Sequence, residues 1–187
     1  MFSHPSQLPD LGMIDPKAEF LELSVGGRDY TIEQSPGALQ SARKEGTTGA
    51  AVWQSSVRAA EWLAQSDNIL FAKGLLDSNS TVLELGSGVA GLVPCVLSQR
   101  VGSIVATDQQ HLTKLARRNI EDNIIPVRAR PPKKGGRKPP STGRTAENVE
   151  ILALDWEEDD VQKQLAANSL PKGVDVVLAC DLSLIHI

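Results

Sequence analysis

Three glycines and one acid stand at the spacing of a nucleotide-binding loop. Residues 82–108 hold an apolar run, glycines in G-x-G-x-x-G order (Gly86, Gly88 and Gly91), a helix-like segment, a second apolar run and Asp108. Glycines at a strand-to-helix turn let the backbone approach a ligand, and the helix N-terminus behind them favours negative charge. An acid at the end of the next strand can accept hydrogen bonds from ribose hydroxyls. This pattern alone fits NAD, FAD and S-adenosylmethionine equally.

Glu84 distinguishes between these ligands. It stands two residues before the first glycine, at the mouth of the expected site. A dinucleotide would bring a pyrophosphate there, which a carboxylate repels, whereas S-adenosylmethionine brings an ammonium and a sulfonium, which a carboxylate attracts. The order acid-x-G-x-G therefore favours the methyl donor. The alternative for Glu84 is a solvated acid at the end of a strand.

The segment LDW, at residues 154–156, favours the same ligand. Asp155 could accept a hydrogen bond from an adenine amino group, and the flat face of Trp156 could stack on the base. The alternative for Trp156 is an ordinary core aromatic residue. Together with Glu84, this segment predicts a methyltransferase.

Apolar runs alternate with helix-like segments from residue 81 onward. Such alternation predicts an α/β fold, an open doubly wound parallel sheet with right-handed crossovers. A β-hairpin is expected before it at 21–34, because apolar and polar residues alternate on both sides of GGRD. The strands of the parallel sheet are expected at 81–85, 102–108, 149–156 and 174–181.

Some of these elements carry sharper expectations. Pro94 is tolerated only in the first turn of a helix, which places the start of that helix near Ala90. The fourth strand is nearly all apolar, so it is expected to be covered on both faces. The helix faces expected to meet the core are Trp53, Val57, Ala60 and Ala64 in one helix, and Leu112, Leu115, Ala116 and Ile120 in another.

Composition is that of a globular domain, with 41% hydrophobic and 22% charged residues among 187. No stretch predicts a membrane span, and the first twenty residues lack the pattern of a secretory signal. Cys95 and Cys180 each lie in an apolar run, so both are expected to be buried, reduced thiols of a cytoplasmic or nuclear protein. No metal site is predicted, because the histidines have no acids or cysteines at ligand spacing.

The charge of the chain is unevenly distributed. Residues 126–145 hold seven basic residues and no acid, and the rest of the chain has 12 basic and 23 acidic residues. The Pro, Gly, Lys and Arg content of this segment predicts a disordered insertion. An acidic body with one basic loop suits a basic protein substrate, and binding of RNA through Arg128 to Arg144 is the alternative.

The ordered motifs VLELGSGVAGL, ATD, LALDW and VDVVLACD resemble the class I seven-β-strand methyltransferases. More specifically, they resemble the lysine methyltransferases that modify non-histone proteins. The upstream segment GTTGAAVWQSSVRAAEWLA is similar to the TG-x-x-x-W segment of that family. With VGGRDYTIEQSP before it, the chain most resembles the fungal ribosomal lysine N-methyltransferase five group, whose members methylate a lysine of a large-subunit ribosomal protein.

The resemblance implies S-adenosyl-L-methionine as cofactor and a site around it. Trp53 would close one side, the acid and the glycine loop would hold the methionine part, and Asp108 would bind the ribose. Asp155 and Trp156 would hold the adenine, and Asp181, the first residue of a D-x-x-Y motif, would lie beside the acceptor lysine. The implied cofactor residues are Trp53, Glu84, Gly86, Ser87, Gly88, Asp108, Asp155, Trp156 and Ala179.

The chain departs from the family at its end. The fourth position of the D-x-x-Y motif is Leu184 instead of an aromatic residue, and four strands are predicted where the family has seven. The hypothesis is a C-terminally truncated domain, and its parts are a disordered N-terminus at 1–20, a partial methyltransferase domain at 21–181 and a foreign tail at 182–187. A catalytically incompetent binding fragment and an NAD-dependent oxidoreductase stay open as alternatives.

Overall fold

The computed structural model describes residues 11–41, 47–124, 148–156, 158–168 and 173–180. Two antiparallel strands come first, β1 (Phe20–Val25) and β2 (Arg28–Glu33). The turn between them is Gly26–Gly27, where φ is 60° and 77°. A two-residue turn with both φ angles positive matches the twist of a hairpin and requires glycine-like residues. The predicted hairpin is therefore confirmed.

Four parallel strands form the main sheet, in the spatial order β5-β4-β3-β6. The chain moves outward from β3 to β4 to β5 and then returns to place β6 on the other side of β3. This reversal makes a switch point between β3 and β6, at whose carboxyl side ligands of open α/β sheets bind. The predicted Rossmann-like methyltransferase fold is confirmed. The strands are β3 (Thr81–Leu85), β4 (Ser103–Asp108), β5 (Val149–Ala153) and β6 (Val176–Ala179).

Six α-helices and one short 3-10 helix, Thr48–Ala50, join and cover these strands in the described part of the chain. The second helix packs on the fourth, and the fifth contacts the fourth as well as β2, β4 and β5. The helices are α1 (Pro36–Leu39), α2 (Gln54–Ala64), α3 (Ile69–Ala72), α4 (Leu92–Leu97), α5 (Gln110–Asn123) and α6 (Val161–Ala167). None of the helices described here is long and apolar enough to cross a membrane.

Helix α4 follows the glycine loop directly and is buried along its whole length. Pro94 is its third residue, in the first turn as predicted, where a missing N–H leaves no helical bond unmade. The helix begins at Leu92, not near Ala90, because Gly91 before it has the left-handed φ of 56°. A left-handed residue cannot lie inside a right-handed helix.

Two predicted burial patterns are wrong in part. Trp53 lies outside α2, with the extended backbone of an N-cap residue, so the buried face of that helix is Val57, Ala60 and Leu63. Strand β6 is not covered on both faces by the described residues, since Val177 is 53% exposed. In the described sheet β6 is an edge strand, and its residues alternate in exposure.

Helix α5 has the predicted apolar face and, in addition, buried polar residues. Leu112, Ala116 and Ile120 are buried, and Leu115 is half-buried. Asn119 and Asn123 are buried too, which the apolar pattern did not predict.

The structure describes only some of the residues at which the predicted segments begin or end. Residues 12–14, within the expected disordered N-terminus, pair with the start of α2: Ile14 N–H donates to the Val52 carbonyl, and Met13 forms a bridge with Trp53. The third predicted strand ends at Ala153. The basic insertion at 126–145, Asp181 and the tail at 182–187 lie outside the described residues.

Candidate functional site

Three acids meet at the carboxyl edge of the parallel sheet. Glu84 lies near the end of β3, Asp108 ends β4, and Asp155 follows β5 by two residues. The register places Leu85 beside Thr107 and Asp108 beside Ala153. Parallel pairing thus brings residues far apart in sequence to one edge.

Asp108 binds the glycine loop directly. Its Oδ2 accepts from the Gly88 N–H at 2.7 Å, and its Oδ1 accepts from the Gln109 N–H at 2.8 Å. Burial of the carboxyl raises the pKa of Asp108, whereas these two bonds lower it. Each carboxylate oxygen has a second lone pair. Asp108 therefore shapes the loop and keeps acceptor capacity for a ligand hydroxyl.

Two of the three glycines are required by the packing of the protein itself. A Cβ on Gly88, whose φ is 61°, would lie 3.1 Å from the Gly49 carbonyl oxygen. A Cβ on Gly91 would overlap the side chain of Ile120 on α5. The sequence pattern predicted a ligand beside these glycines, and it gave no sign of these neighbours.

The segment around the 3-10 helix lies over the glycine loop. The Gly49 carbonyl accepts from the Val89 N–H at 2.8 Å, and a Cβ on Gly49 would lie 3.5 Å from the Asp108 carboxylate. Trp53 joins the same segment, because its Nε1–H donates to the Thr48 carbonyl at 3.0 Å. Gly49 was missed as a site residue. The signal available in the sequence was its small size in TTGAA, just before the predicted tryptophan.

Glu84 is a buried acid, so its alternative as a solvated strand-end residue is wrong. The residue is 3% exposed. Its Oε1 accepts from Cys180 Sγ at 4.0 Å, and its Oε2 has no hydrogen-bond partner among the described residues. Burial, and next the charge of Asp108, raise the pKa of Glu84 to about 8 from its ordinary value of 4.5. A cation bound beside this carboxyl would favour its ionised form and pair with it.

A cavity of about 370 Å³ opens between the carboxyl ends of β4 and β5 and the start of α6. Asp155 lines it, and its backbone N–H donates to Asp159 Oδ2 at 2.9 Å. Pockets of this size hold small molecules or parts of cofactors. The lining residues are Gln109, Gln110, Ala153, Leu154, Asp155, Glu158, Asp159 and Gln164.

Comparison with known families gives this site its context. Residues 34–185 match the family described as "Lysine methyltransferase". The chain belongs to this family. The matched range contains the glycine loop and the three acids, and it begins one residue after the hairpin ends.

Curated relatives of this chain include proteins named for the methylation of ribosomal lysine. The ribosomal lysine N-methyltransferase 5 of Zygosaccharomyces rouxii is 31% identical over 70% of this chain and 46% of its own length. That of Kluyveromyces lactis is 28% identical over 91% of this chain and 62% of its own length.

A third relative has a different name. A Schizosaccharomyces pombe protein called diaminohydroxyphosphoribosylamino-pyrimidine deaminase is 32% identical over 82% of this chain but only 32% of its own length. The chain thus spans between about a third and three-fifths of the length of these three relatives. Because the match covers a minor part of the relative called a deaminase, its name does not bring that activity to this chain.

Solved structures add little. A tRNA (m1A58) methyltransferase, TrmI, from Aquifex aeolicus aligns with 81% of this chain and 61% of its own, at 15% identity and a TM-score of 0.33. The fold assignment therefore rests on strand order and on the family.

The remaining predicted site residues in the described part of the chain lie at the same edge of the sheet. Ser87 is buried and its N–H donates to the Thr107 carbonyl, and Gly86 before it has a φ of 68°. Ala179 ends β6 opposite Leu85. Trp156 is 38% exposed, so its alternative as a core aromatic is wrong.

The two cysteines differ. Cys95 is buried, and burial raises the pKa of its thiol to about 12, which makes it unreactive. Cys180 is only half-buried and lies against Glu84, in contrast to the expected full burial. Among the described residues, no group of His, Cys, Asp and Glu is arranged to hold a metal ion.

Proposed function

We propose that this chain is the cofactor-binding part of an S-adenosyl-L-methionine-dependent protein-lysine N-methyltransferase that acts on a ribosomal protein. The observation that carries the choice of cofactor is the buried Glu84 carboxyl, whose Oε2 has no partner among the described residues. Ionisation of a buried carboxyl is costly unless a cation pairs with it, so without a ligand Glu84 keeps its proton near pH 7. A cationic ligand supplies the missing partner, whereas a pyrophosphate would face two acids, Glu84 and Asp108.

The residues at the sheet edge fit the parts of this cofactor. Glu84 and the loop at Gly86 and Gly88 would hold the cationic methionine end, and Asp108 would accept from the ribose. The cavity lined by Asp155 lies next along the edge, where an adenine would fit, with Trp156 adjacent in sequence. When bound, the cofactor supplies an electrophilic methyl group.

The acceptor lysine must be neutral to attack. Its ordinary pKa is about 10.4, so deprotonation near pH 7 costs roughly 4–5 kcal/mol. A desolvated position beside a cation lowers that cost, and alignment of the reacting atoms contributes further. Asp181 is proposed to orient the lysine ammonium before it loses its proton, a positioning role taken from the D-x-x-Y motif. No covalent intermediate is required.

A ribosomal substrate is supported by the names of the relatives from Zygosaccharomyces rouxii and Kluyveromyces lactis. The acidic body of the chain suits a basic target, and ribosomal proteins are basic by their function of binding RNA. The target belongs to the proposal for the whole protein, since this chain spans 46% and 62% of those two relatives.

Calorimetric titration with S-adenosylhomocysteine, with NAD as the control ligand, tests the cofactor. We expect heat from the first and none from NAD; binding of NAD alone would overturn the assignment of Glu84.

Incubation of large ribosomal subunits with radiolabelled S-adenosylmethionine then tests the target. We expect label on a lysine of one protein. Asp181→Ala should abolish this transfer and leave the affinity for S-adenosylhomocysteine unchanged, whereas loss of that affinity would contradict its role at the acceptor.

A further inference from the structure

Two asparagines of α5 bind the edge of strand β2 as a neighbouring strand would. Asn123 accepts from the Thr31 N–H at 3.0 Å and donates to the Thr31 carbonyl at 2.8 Å. Asn119 accepts from the Glu33 N–H at 2.9 Å and donates to the Glu33 carbonyl at 2.8 Å. A primary amide has one acceptor and two donors, so it can pair with both groups of one peptide residue. The hairpin is thus docked on α5 by two equivalent amide contacts.

The two asparagines differ in one bond. The second Nδ2 hydrogen of Asn123 goes to the Asn119 carbonyl, within α5, at 2.8 Å. That of Asn119 goes to the Val89 carbonyl, in the glycine loop, at 2.7 Å. Asn119 is 2% exposed and Asn123 is 6% exposed, so both amides lie in a similar environment. Of these two asparagines, only Asn119 connects the hairpin with the glycine loop.

Both the N–H and the carbonyl of Val89 form hydrogen bonds. Its N–H donates to the Gly49 carbonyl at 2.8 Å, and its carbonyl accepts from Asn119. Val89 is fully buried, so solvent cannot replace either partner. A buried peptide carbonyl that loses its hydrogen-bond partner is destabilised, so the loop would move to recover that bond. The conformation around Gly88 therefore depends on Asn119.

We propose that Asn119 is a positioning residue, whose amide, fixed by its pairing with Glu33 of β2, holds the Val89 carbonyl and thereby the cofactor-binding shape of the glycine loop. The inference rests on the proposed function, because it assumes that the loop binds the methyl donor. It goes further in assigning a role in cofactor affinity to a buried polar residue of α5.

The experiment compares Asn119→Ala with Asn123→Ala as a matched pair. Each variant loses one amide that pairs with a residue of β2, so we expect similar losses of thermal stability. Affinity for S-adenosylhomocysteine should fall on the order of tenfold in Asn119→Ala, as for the loss of one hydrogen bond that shapes a loop, and remain near wild type in Asn123→Ala. Equal affinities in the two variants would overturn the proposal.

A second readout does not depend on the cofactor. Hydrogen exchange of the peptide that contains Gly88, Val89 and Gly91 should be faster in Asn119→Ala than in Asn123→Ala, at temperatures equally far below each midpoint of unfolding. Equal exchange would overturn the proposal even if no ligand binds.

If either alanine variant does not fold, Asn119→Ser and Asn123→Ser replace the pair, with the same expected difference. Failure of wild-type protein to bind S-adenosylhomocysteine would contradict the proposed function, while the exchange comparison would still test Asn119.

Discussion

The carboxylate of Asp108 accepts from the N–H of Gly88, 20 residues earlier, at 2.7 Å. The acid at the end of β4 and the second glycine of the loop are therefore joined within the protein. Asp108 also accepts from the Gln109 N–H at 2.8 Å. Its predicted contact with a ribose would be an addition to these two bonds.

Asp108→Asn tests this structural role. An amide has one oxygen, so one of the two backbone donors would face an NH₂ group instead of an acceptor. We expect a loss of about 1–3 kcal/mol in the free energy of unfolding, measured in urea. Asp122→Asn on the exposed side of α5 is the control and should change stability by less than about 0.5 kcal/mol. Equal effects at the two positions would contradict the role given to Asp108.

The buried Glu84 predicts a specific pH dependence of stability. Its pKa is about 8 in the folded protein and 4.5 ordinarily, so the folded state retains a proton that the unfolded state loses between these values. The contribution of Glu84 to the free energy of unfolding is therefore fully present below pH 4.5, and it is lost as the pH rises to about 8. The slope for one proton is about 1.4 kcal/mol per pH unit.

Urea unfolding at several pH values between 5 and 8 measures this slope. Glu84→Gln cannot titrate, so its stability should be nearly constant over that range where the wild type declines. Asp108 also has a raised pKa, with the same sign, and it is present in both proteins. The difference between the two profiles is therefore due to Glu84, and parallel profiles would show that its pKa is not raised.

Gly91 gives a prediction about packing. A Cβ at this position would overlap Ile120, and its φ of 56° disfavours other residues. Gly91→Ala is therefore expected to destabilise the protein by several kcal/mol, from overpacking of about 1–3 kcal/mol and a strained backbone of similar cost. Ile120→Ala removes the overlapping atoms. The double variant should lose less stability than the sum of the two single variants, by about 1 kcal/mol or more. Additive losses would mean that the backbone strain alone matters.

Local patterns in the sequence were sufficient to predict the hairpin, the four parallel strands and the acids at the sheet edge. Each depends on residues close in sequence: GGRD for the hairpin turn, TVLEL for β3, and an acid after an apolar run for Asp108. The parallel order then follows from strand and helix alternation. These features are predictable because strand formation and turn geometry depend on short segments, and the alternation of strands with helices then favours parallel pairing.

The contacts of Asn119 were not predictable from the sequence in this way. Asparagine on a helix is read as a residue of the solvated face, since an amide is usually exposed. Its burial depends on Glu33, 86 residues earlier, and on Val89, 30 residues earlier. Gly49 over Gly88 is a similar long-range contact. For β6 the apolar run indicated burial on both faces, but the exposure of Val177 depends on the elements packed against it.

Binding of the methyl donor should release a proton from Glu84. At pH 7 a carboxyl with a pKa of about 8 is mostly protonated, and a bound cation favours its ionised form. The affinity for S-adenosylmethionine should therefore rise between pH 6 and 8. Calorimetry at pH 7 in two buffers of different ionisation enthalpy would count the protons released.

Comparison with Glu84→Gln distinguishes the proton that Glu84 releases on binding from protons that the ligand itself releases. The variant keeps the shape of the protonated acid but has no charge to offer, so it should bind roughly 10- to 100-fold more weakly, as expected for the loss of a hydrogen bond to a charged group. Its proton release at pH 7 should be smaller than that of the wild type by nearly one proton. Titration of the ligand amine is common to both proteins and cancels in the difference. Equal proton release in the two proteins would mean that Glu84 does not meet the cationic part of the cofactor, and the choice of a methyl donor over a dinucleotide would lose its main support.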